Sequence, residues 1–117
     1  MRVAIIGSRS LSPVVEDYLP PDTTLIVTGG AQGVDAAAER CARRRGIPLL
    51  VFTPNYARYG RRAPLVRNEA VVQAADWVLA FWDGRSRGTA YTLRYARQQG
   101  IPVEIVTADG QDYLPLR

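Results

Sequence analysis

Five short apolar runs recur along the chain, separated by longer segments of mixed polarity. The runs cover Val3–Ile6, Leu25–Thr28, Leu49–Phe52, Trp77–Trp82 and Val103–Val106. Continuous apolar runs of this length are typical of strands that are covered on both faces, as in a parallel sheet. The segments between them show apolar residues at helical spacing. The pattern therefore predicts five strands alternating with four helices.

The clearest helix follows the second strand. Its apolar residues recur at i, i+3, i+4, i+7 and i+8, which forms one stripe along a helix. They are Val34, Ala37, Ala38, Cys41 and Ala42. Arg43–Arg45 suits the last turn, where cations complement the helix dipole, and Gly46 suits the C-terminal cap. We therefore predict a helix to Arg45, with Cys41 as a core residue and not as a nucleophile.

The other three helices have weaker signatures. Ser12-Pro13 resembles an N-cap followed by proline at the first helical position. A second helix contains Pro64 near its first turn, and a third is expected to begin at a Thr89 cap and to end at Gly100. The predicted inward residues of the three helices are Val14, Val15, Tyr18 and Leu19; Val66, Ala70 and Ala74; and Ala90, Leu93 and Ala96.

This alternation predicts a doubly wound, Rossmann-like parallel α/β sheet with helices on both faces. The spacing is close to the minimum for right-handed βαβ units. We predict the strand order 3-2-1-4-5 and a single domain spanning residues 1–117. In such sheets ligands bind outside the carboxyl ends of the strands, where the strand order reverses. The tail from Ala108 to Arg117 contains a Tyr-Leu-Pro-Leu cluster that either packs back on the domain or meets a second subunit.

Three glycine-bearing loops follow the first, second and fourth strands, so the topology predicts that they converge on one crevice. Each leads towards a helix, and helix N-termini with exposed amides suit phosphate groups. A tight strand-to-helix turn with nothing bound is the alternative for each loop taken alone. The candidate ligand-binding residues are Gly7, Ser8, Arg9, Gly29, Gly30, Ala31, Gln32, Gly33, Asp35, Arg67, Asn68, Trp82, Gly88 and Thr89.

Two further features of the sequence bear on this crevice. Arg67 is expected in the first turn of its helix, where a cation opposes the dipole unless an anion or a carboxylate accompanies it. The segment 53–62 interleaves Tyr56 and Tyr59 with arginines. These residues either stack on bases and contact phosphates or cover the edge of the sheet, and the sequence leaves both open.

Composition excludes several classes of chemistry. The chain has no histidine, and all 15 basic residues are arginine. This excludes Ser-His and Cys-His nucleophile pairs, histidine metal sites, Walker-type phosphate loops and Schiff-base lysines. No metal or other cofactor is indicated. The net charge of +4 is compatible with phosphorylated ligands and with nucleic acid. A single cysteine and the lack of a long apolar run lead us to expect a cytoplasmic protein without a membrane span.

Four motifs in register resemble the SMF/DprA–LOG (SLOG) superfamily over nearly the whole chain. They are Gly7-Ser8-Arg9, Thr28-Gly29-Gly30-Ala31-Gln32-Gly33-Val34-Asp35, Ala63-Pro64-Leu65-Val66-Arg67-Asn68 and Ser86-Arg87-Gly88-Thr89. The small single-domain branch related to YspA and YpsA is the most similar. The superfamily includes nucleoside-monophosphate phosphoribohydrolases, the DNA-uptake protein DprA, molybdenum-cofactor carriers and proposed nucleotide sensors. The resemblance implies a domain that binds a nucleotide or nucleotide derivative, often as a homodimer.

The sequence departs from the phosphoribohydrolase motif at one position. That motif carries a glutamate three residues after its Gly-Thr pair, and this chain has Thr92 there. A hydroxyl cannot replace a carboxylate that stabilises an oxocarbenium-like transition state. Asp35 and Asp83 are the remaining candidate catalytic residues, although Asp35 could cap its helix and Asp83 could begin a turn. The catalytic residues are therefore unknown from the sequence.

Three functional hypotheses follow. The favoured one is a binding or sensor domain for a nucleotide-like ligand, with phosphate on the loop amides, Arg9 and Arg67 neutralising it, and Tyr56 or Trp82 stacking on the base. The second is an N-glycosidic hydrolase that uses Asp35 or Asp83. The third is a DprA-like binder of single-stranded DNA that uses the aromatic loop and Arg58, Arg61 and Arg62.

Overall fold

A computed structural model describes the backbone of residues 1–109 and 112–116 and the side chains of residues 1–107. Its sheet has the order β3-β2-β1-β4-β5-β6. The strands are β1 (Arg2–Gly7), β2 (Leu25–Thr28), β3 (Leu49–Val51), β4 (Trp77–Trp82), β5 (Val103–Asp109) and β6 (Asp112–Leu116). The helices within these residues are α1 (Val34–Arg45), α2 (Tyr56–Tyr59), α3 (Ala63–Gln73) and α4 (Arg87–Gln98). Short 3-10 turns cover Val15–Asp17 and Gly60–Arg62.

The first five strands are parallel and have the predicted order 3-2-1-4-5. The central strands β1 and β4 are buried along their middle four residues, as their continuous apolar sequences predict. Alternate residues of β1 enter two separate cores. Val3 and Ile5 pack with α1 on one face, whereas Ala4 and Ile6 pack with α3 and α4 on the other. The doubly wound α/β architecture is confirmed.

The helix predicted after β1 is wrong. Only the 3-10 turn Val15–Asp17 forms there; Val15 is buried, but Val14 is 57% exposed. Ser12 does not cap a helix, since its hydroxyl accepts a hydrogen bond from Arg40. A segment stopped so soon by Pro20-Pro21 has too few residues to repay helix nucleation.

The segment predicted to be irregular between β3 and α3 instead contains α2 and the second 3-10 turn. Asn55 caps α2 by accepting the Arg58 amide at 3.1 Å. The buried residues of α3 also differ from the prediction. They are Ala63, Val71 and Val72, whereas Val66, Ala70 and Ala74 are only half-buried, because the helix presents its other edge to the sheet.

The tail adds a sixth strand that the sequence pattern did not predict. β6 pairs antiparallel with β5 and forms the edge of the sheet, where Pro115 is tolerated. The backbone of the tail thus packs back on the domain. The side chains of its Tyr-Leu-Pro-Leu cluster lie outside the described residues.

No helix in the described part of the chain is both long and apolar enough to span a bilayer.

Candidate functional site

The loops after β1, β2 and β4 meet at the carboxyl edge of the sheet, where these three strands lie side by side. The Ser8 amide donates to the Phe81 carbonyl at 3.0 Å, and the Ser8 hydroxyl accepts the Asp83 amide at 3.1 Å. On the other side, the Ser8 carbonyl accepts the Val34 amide at 3.4 Å. Ser8 is 1% exposed, and its hydrogen bonds connect the three loops.

A cavity of about 420 Å³ opens above this junction. Its walls come from the three loops and from one side of α3 and α4. Nine of the predicted ligand-binding residues line it: Gly7, Arg9, Gly29, Ala31, Asp35, Arg67, Asn68, Gly88 and Thr89. The volume falls in the range of small-molecule sites, and its position is the switch point where open α/β sheets bind ligands.

The other five predicted ligand-binding residues lie outside the cavity wall. Ser8 is covered by the loops that it joins. Gly33 packs against Arg9, whose carbonyl oxygen would lie 2.4 Å from a Cβ at position 33. Trp82 donates its indole N–H to the Ser86 carbonyl at 3.1 Å, which holds the loop after β4. Gly30 and Gln32 are exposed and are not among the residues that line the cavity.

The cavity also includes residues that the sequence analysis did not select as ligand contacts. Pro64, Leu65 and Val71 of α3 form an apolar wall, and Ile6 forms part of the floor. Ser10, Ser86 and Thr92 add hydroxyl groups. The helical pattern of α3 favoured a different buried side, so only knowledge of its orientation on the sheet could identify Pro64, Leu65 and Val71 as wall residues.

Arg67 lies across the loop after β2. It is the fifth residue of α3, which is later than the first turn where the sequence placed it. Its Nη1 donates to the Gly29 carbonyl, and its Nε donates to Asn68 Oδ1 at 2.8 Å. The side chain passes so close that a Cβ on Gly29 would lie 2.7 Å from Arg67 Cδ. A side chain at position 29 would therefore displace the end of the Arg67 side chain from its place against this loop.

Asp35 is a buried carboxylate in the same wall, with 8% of its surface exposed. Its Oδ2 accepts the Ala31 amide at 3.1 Å. Burial raises the pKa of Asp35, and the Ala31 amide, the Arg67 charge and the Thr28 hydroxyl only partly oppose this effect. The Ala31 amide is thus already paired with protein, and the residues around Asp35 favour uptake of a proton or a hydrogen bond from a donor.

Asp83 has a structural role in the loop after β4. Its Oδ1 accepts the amides of Arg85 and Ser86, each at 2.8 Å, and its Oδ2 accepts the Ser10 hydroxyl at 2.9 Å. These bonds, the Ser86 and Arg85 amides first, lower the pKa of Asp83 to about 2. Asp83 therefore begins a turn, as one of the two interpretations of the sequence held. A carboxyl group that is ionised at neutral pH has no proton to give as a general acid.

The N-terminus of α4 presents hydrogen-bond donors to the cavity. Ser86, and not Thr89 as predicted, is the N-cap, because its hydroxyl accepts the Thr89 amide at 3.3 Å. The two hydroxyls also lie 3.0 Å apart, which leaves one of their protons for another acceptor. Amides in the first turn of a helix have no acceptor within the helix, and that of Gly88 belongs to this turn. Gly88 and Thr89 both line the cavity.

Thr92 lies in the cavity wall, one helical turn beyond Gly88. Its hydroxyl donates to the Gly88 carbonyl at 2.8 Å, and the residue is 1% exposed. The position at which the phosphoribohydrolase motif has a glutamate is therefore occupied here by a hydroxyl that is bonded to the backbone.

Outside the cavity, the segment Tyr56–Arg62 forms an exposed aromatic and basic surface. Tyr56 is 59% and Tyr59 is 38% exposed, and the Arg58 guanidinium lies 5.3 Å from the centroid of the Tyr59 ring. Neither tyrosine lines the cavity. Among the described residues, no group of three histidine, cysteine, aspartate or glutamate side chains is placed to hold a metal ion.

Comparisons with known proteins agree with this architecture. Residues 8–59 match the model of the YspA, cpYpsA-related SLOG family. The Gene 61 protein of Mycobacterium phage D29 is 38% identical over 119 residues, covering 87% of this chain and 93% of the phage protein.

Two solved structures of DNA processing protein A share the fold. The Helicobacter pylori protein, described with a unique single-stranded DNA binding mode, superposes with a TM-score of 0.74 at 21% identity, over 97% of this chain and 68% of its own. DprA from Streptococcus pneumoniae superposes with a TM-score of 0.71 at 20% identity, and 95% of this chain covers 52% of that protein. The chain thus spans about half of the pneumococcal structure.

Proposed function

The chain belongs to the YspA, cpYpsA-related SLOG family, and we propose that it binds a nucleotide or a nucleotide-derived phosphorylated ligand in the cavity at the carboxyl edge of the sheet. The observation that carries the proposal is the meeting of three loops and α3 around one cavity of about 420 Å³ at the β1–β4 switch point. Closely packed turns alone would leave no such space, and the cavity contains both donors and cations.

The phosphate position is the N-terminus of α4. The Gly88 amide and the hydroxyl pair of Ser86 and Thr89 supply donors there, and the helix dipole favours an anion. Arg9 and Arg67 also line the cavity and supply positive charge. The loop after β2 contributes less to phosphate binding than its glycines suggest, since the Ala31 amide already donates to Asp35.

A thermal-shift panel tests this proposal. The probes are nucleoside mono-, di- and triphosphates, cyclic nucleotides and ADP-ribose. A probe at about 100 times its Kd adds about 2.7 kcal/mol to the free energy of unfolding, which raises the melting temperature by roughly 10 °C. A panel that leaves the melting temperature unchanged at millimolar concentration contradicts the proposal.

Single-stranded nucleic acid is the second candidate ligand, and the exposed segment Tyr56–Arg62 favours it. Aromatic faces beside arginines suit stacked bases and phosphates, and the H. pylori neighbour is described as binding single-stranded DNA. Three phosphate contacts, from Arg58, Arg61 and Arg62, predict a slope of about −2 for log K against log salt concentration. Oligonucleotide binding that is lost in the triple alanine variant, together with an unresponsive nucleotide panel, selects this function.

A homodimer in the cytoplasm remains our expectation from the sequence. Size-exclusion chromatography with light scattering tests the dimer directly, since a monomer has a mass of 12.9 kDa. A mass that stays at the monomer value at all concentrations contradicts it.

A further inference from the structure

Asp35 is buried in a cavity wall where no cation forms an ion pair with it. Among the described residues, ion pairs within 4 Å join Arg2 to Asp76 and Arg44 to Glu16, and Asp35 is in neither. Buried carboxylates are rare unless they are paired or accept several hydrogen bonds. The position of Asp35 in the first turn of α1 does not account for its burial, because a carboxylate interacts favourably with a helix dipole while exposed to solvent.

The hydrogen-bonding capacity of this carboxylate is only partly used. One oxygen accepts the Ala31 amide at 3.1 Å, and the Thr28 hydroxyl lies beside the group. An ionised carboxylate has about four acceptor positions. Since Asp35 lines the cavity, the remaining capacity is available to a donor on a bound molecule.

The two ends of the cavity differ in charge and in hydrogen-bonding groups, so they suit different parts of a ligand. A phosphate placed against the ionised form of Asp35 would be repelled, although the Arg67 charge also acts on this carboxyl group. A phosphate at Gly88 and Thr89 meets donors instead. Asp35 follows β2 and these residues follow β4, and β1 lies between the two strands, which are therefore about 10 Å apart in the sheet. The two groups thus lie at different ends of the cavity, and a ribose 5′-phosphate carries hydroxyl donors at one end and an anion at the other.

From this arrangement we infer that Asp35 accepts hydrogen bonds from the vicinal hydroxyls of a ribose and so makes the cavity selective for ribonucleotides over 2′-deoxyribonucleotides. The inference rests on the proposed function, since it concerns the sugar of the same ligand. A single carboxylate accepts both hydroxyls of the diol, whereas a deoxyribose leaves part of its capacity unsatisfied in a buried site. Discrimination of this kind is large because a buried polar group left without its partner is costly.

Titration calorimetry with matched pairs of probes tests the inference. Each of AMP, GMP, CMP and UMP is compared with its 2′-deoxy counterpart, using wild-type protein, Asp35→Asn and the control Glu39→Gln, which alters a carboxylate of the same helix outside the cavity wall. For the nucleotide that binds, we expect the wild type to prefer the ribose form at least tenfold. Asp35→Asn should weaken the ribose form about tenfold and bring the ratio close to one, while Glu39→Gln keeps the wild-type ratio. Inorganic pyrophosphate should bind to Asp35→Asn at least as tightly as to the wild type, because a repelling charge is gone.

The outcomes separate this inference from the proposed function. Nucleotides that bind with equal affinity in ribose and deoxyribose forms overturn the sugar assignment and leave the cavity as a nucleotide site, and this comparison needs only the wild type. A preference that depends on a base amino group, seen as AMP over IMP and lost in Asp35→Asn, also overturns it in favour of base recognition. If no nucleotide binds, the proposed function fails, and the inference fails with it.

Discussion

Asp83 shows how one carboxylate organises a loop, and its effect on stability has a definite pH dependence. Its folded pKa of about 2 lies below the ordinary value of 3.8. Folding therefore favours the deprotonated form of Asp83. The resulting contribution to the free energy of unfolding is present above about pH 4 and is lost as the pH falls towards 2.

We predict that Asp83→Asn lowers the free energy of unfolding most at neutral pH. An asparagine oxygen retains an acceptor for the Arg85 and Ser86 amides but lacks the charge. The difference between variant and wild type, measured by urea denaturation, should shrink between pH 4 and pH 2. Glu16→Gln is the comparison, because the pKa of Glu16 is also lowered to about 2 but by a different cause, first the hydrogen bond from Arg44. If the difference in free energy of unfolding between Asp83→Asn and the wild type does not change with pH, the lowered pKa of Asp83 is contradicted.

Arg67 is expected to contribute to ligand binding much more than to stability. Its protein contacts are one carbonyl and one side-chain amide, and it adds a positive charge to the cavity. A charge-assisted hydrogen bond contributes about 1.5–3 kcal/mol, so Arg67→Ala should weaken nucleotide binding about 10- to 100-fold in calorimetry. Arg94→Ala, which removes an exposed arginine of α4, is the control. Equal affinities for both variants would remove Arg67 from the site.

For individual residues, the sequence identified the loops that form the cavity better than the contacts that each side chain makes. Arg9, Gly29, Asp35 and Gly88 were predicted to face a common crevice, and all four line the cavity. The sequence could not show that Ser86, and not Thr89, is the N-cap of α4. Either hydroxyl suits a cap, and only the loop geometry fixed by Asp83 decides between them.

At the level of elements, the glycines at the two ends of α1 have different requirements. Both have positive φ, 72° at Gly33 and 64° at Gly46. A Cβ at Gly33 would lie 2.4 Å from the Arg9 carbonyl oxygen, whereas nothing lies within 4 Å of one at Gly46. The first glycine allows the loops after β1 and β2 to approach each other, and the second ends the helix.

Alanine substitutions at these two positions should separate backbone strain from close packing. Gly46→Ala carries only the cost of a left-handed backbone, about 1–2 kcal/mol. Gly33→Ala carries that cost and must also push the two loops apart, so we expect a loss of at least 3 kcal/mol in urea denaturation. Equal losses would show that the approach of Arg9 to Gly33 has no influence on stability.

The elements that were not predicted are those whose structure depends least on their own sequence pattern. The turn Val15–Asp17 replaces a predicted helix because the connection is short and is fixed by packing of Val15 and Tyr18 on the core. The strand β6 contains a proline and forms a sheet edge, where pairing with β5 and not an apolar pattern determines the structure. In contrast, α1 ends at Arg45 as predicted, since its stripe, its last-turn arginines and Gly46 all indicated the same helix.

For the whole molecule, topology determines where the site lies. Five parallel strands in the order 3-2-1-4-5 were predictable from the apolar runs, and this order brings the loops after β1, β2 and β4 to one edge. The apolar wall from α3 was not predictable, because it depends on how that helix is rotated on the sheet. The aromatic segment Tyr56–Arg62 lies outside the cavity and forms a separate exposed surface.

The most direct test of the nucleotide cavity is a titration followed by ¹H–¹⁵N correlation spectroscopy, for which a 12.9 kDa chain is well suited. The probe is the nucleotide with the largest thermal shift, added to wild-type protein. We predict that the amide resonances of Gly29, Ala31, Gly88 and Thr89 move together and saturate at a single Kd. Shifts confined to residues 56–62, or no saturable shifts at these four amides, would contradict binding in the cavity.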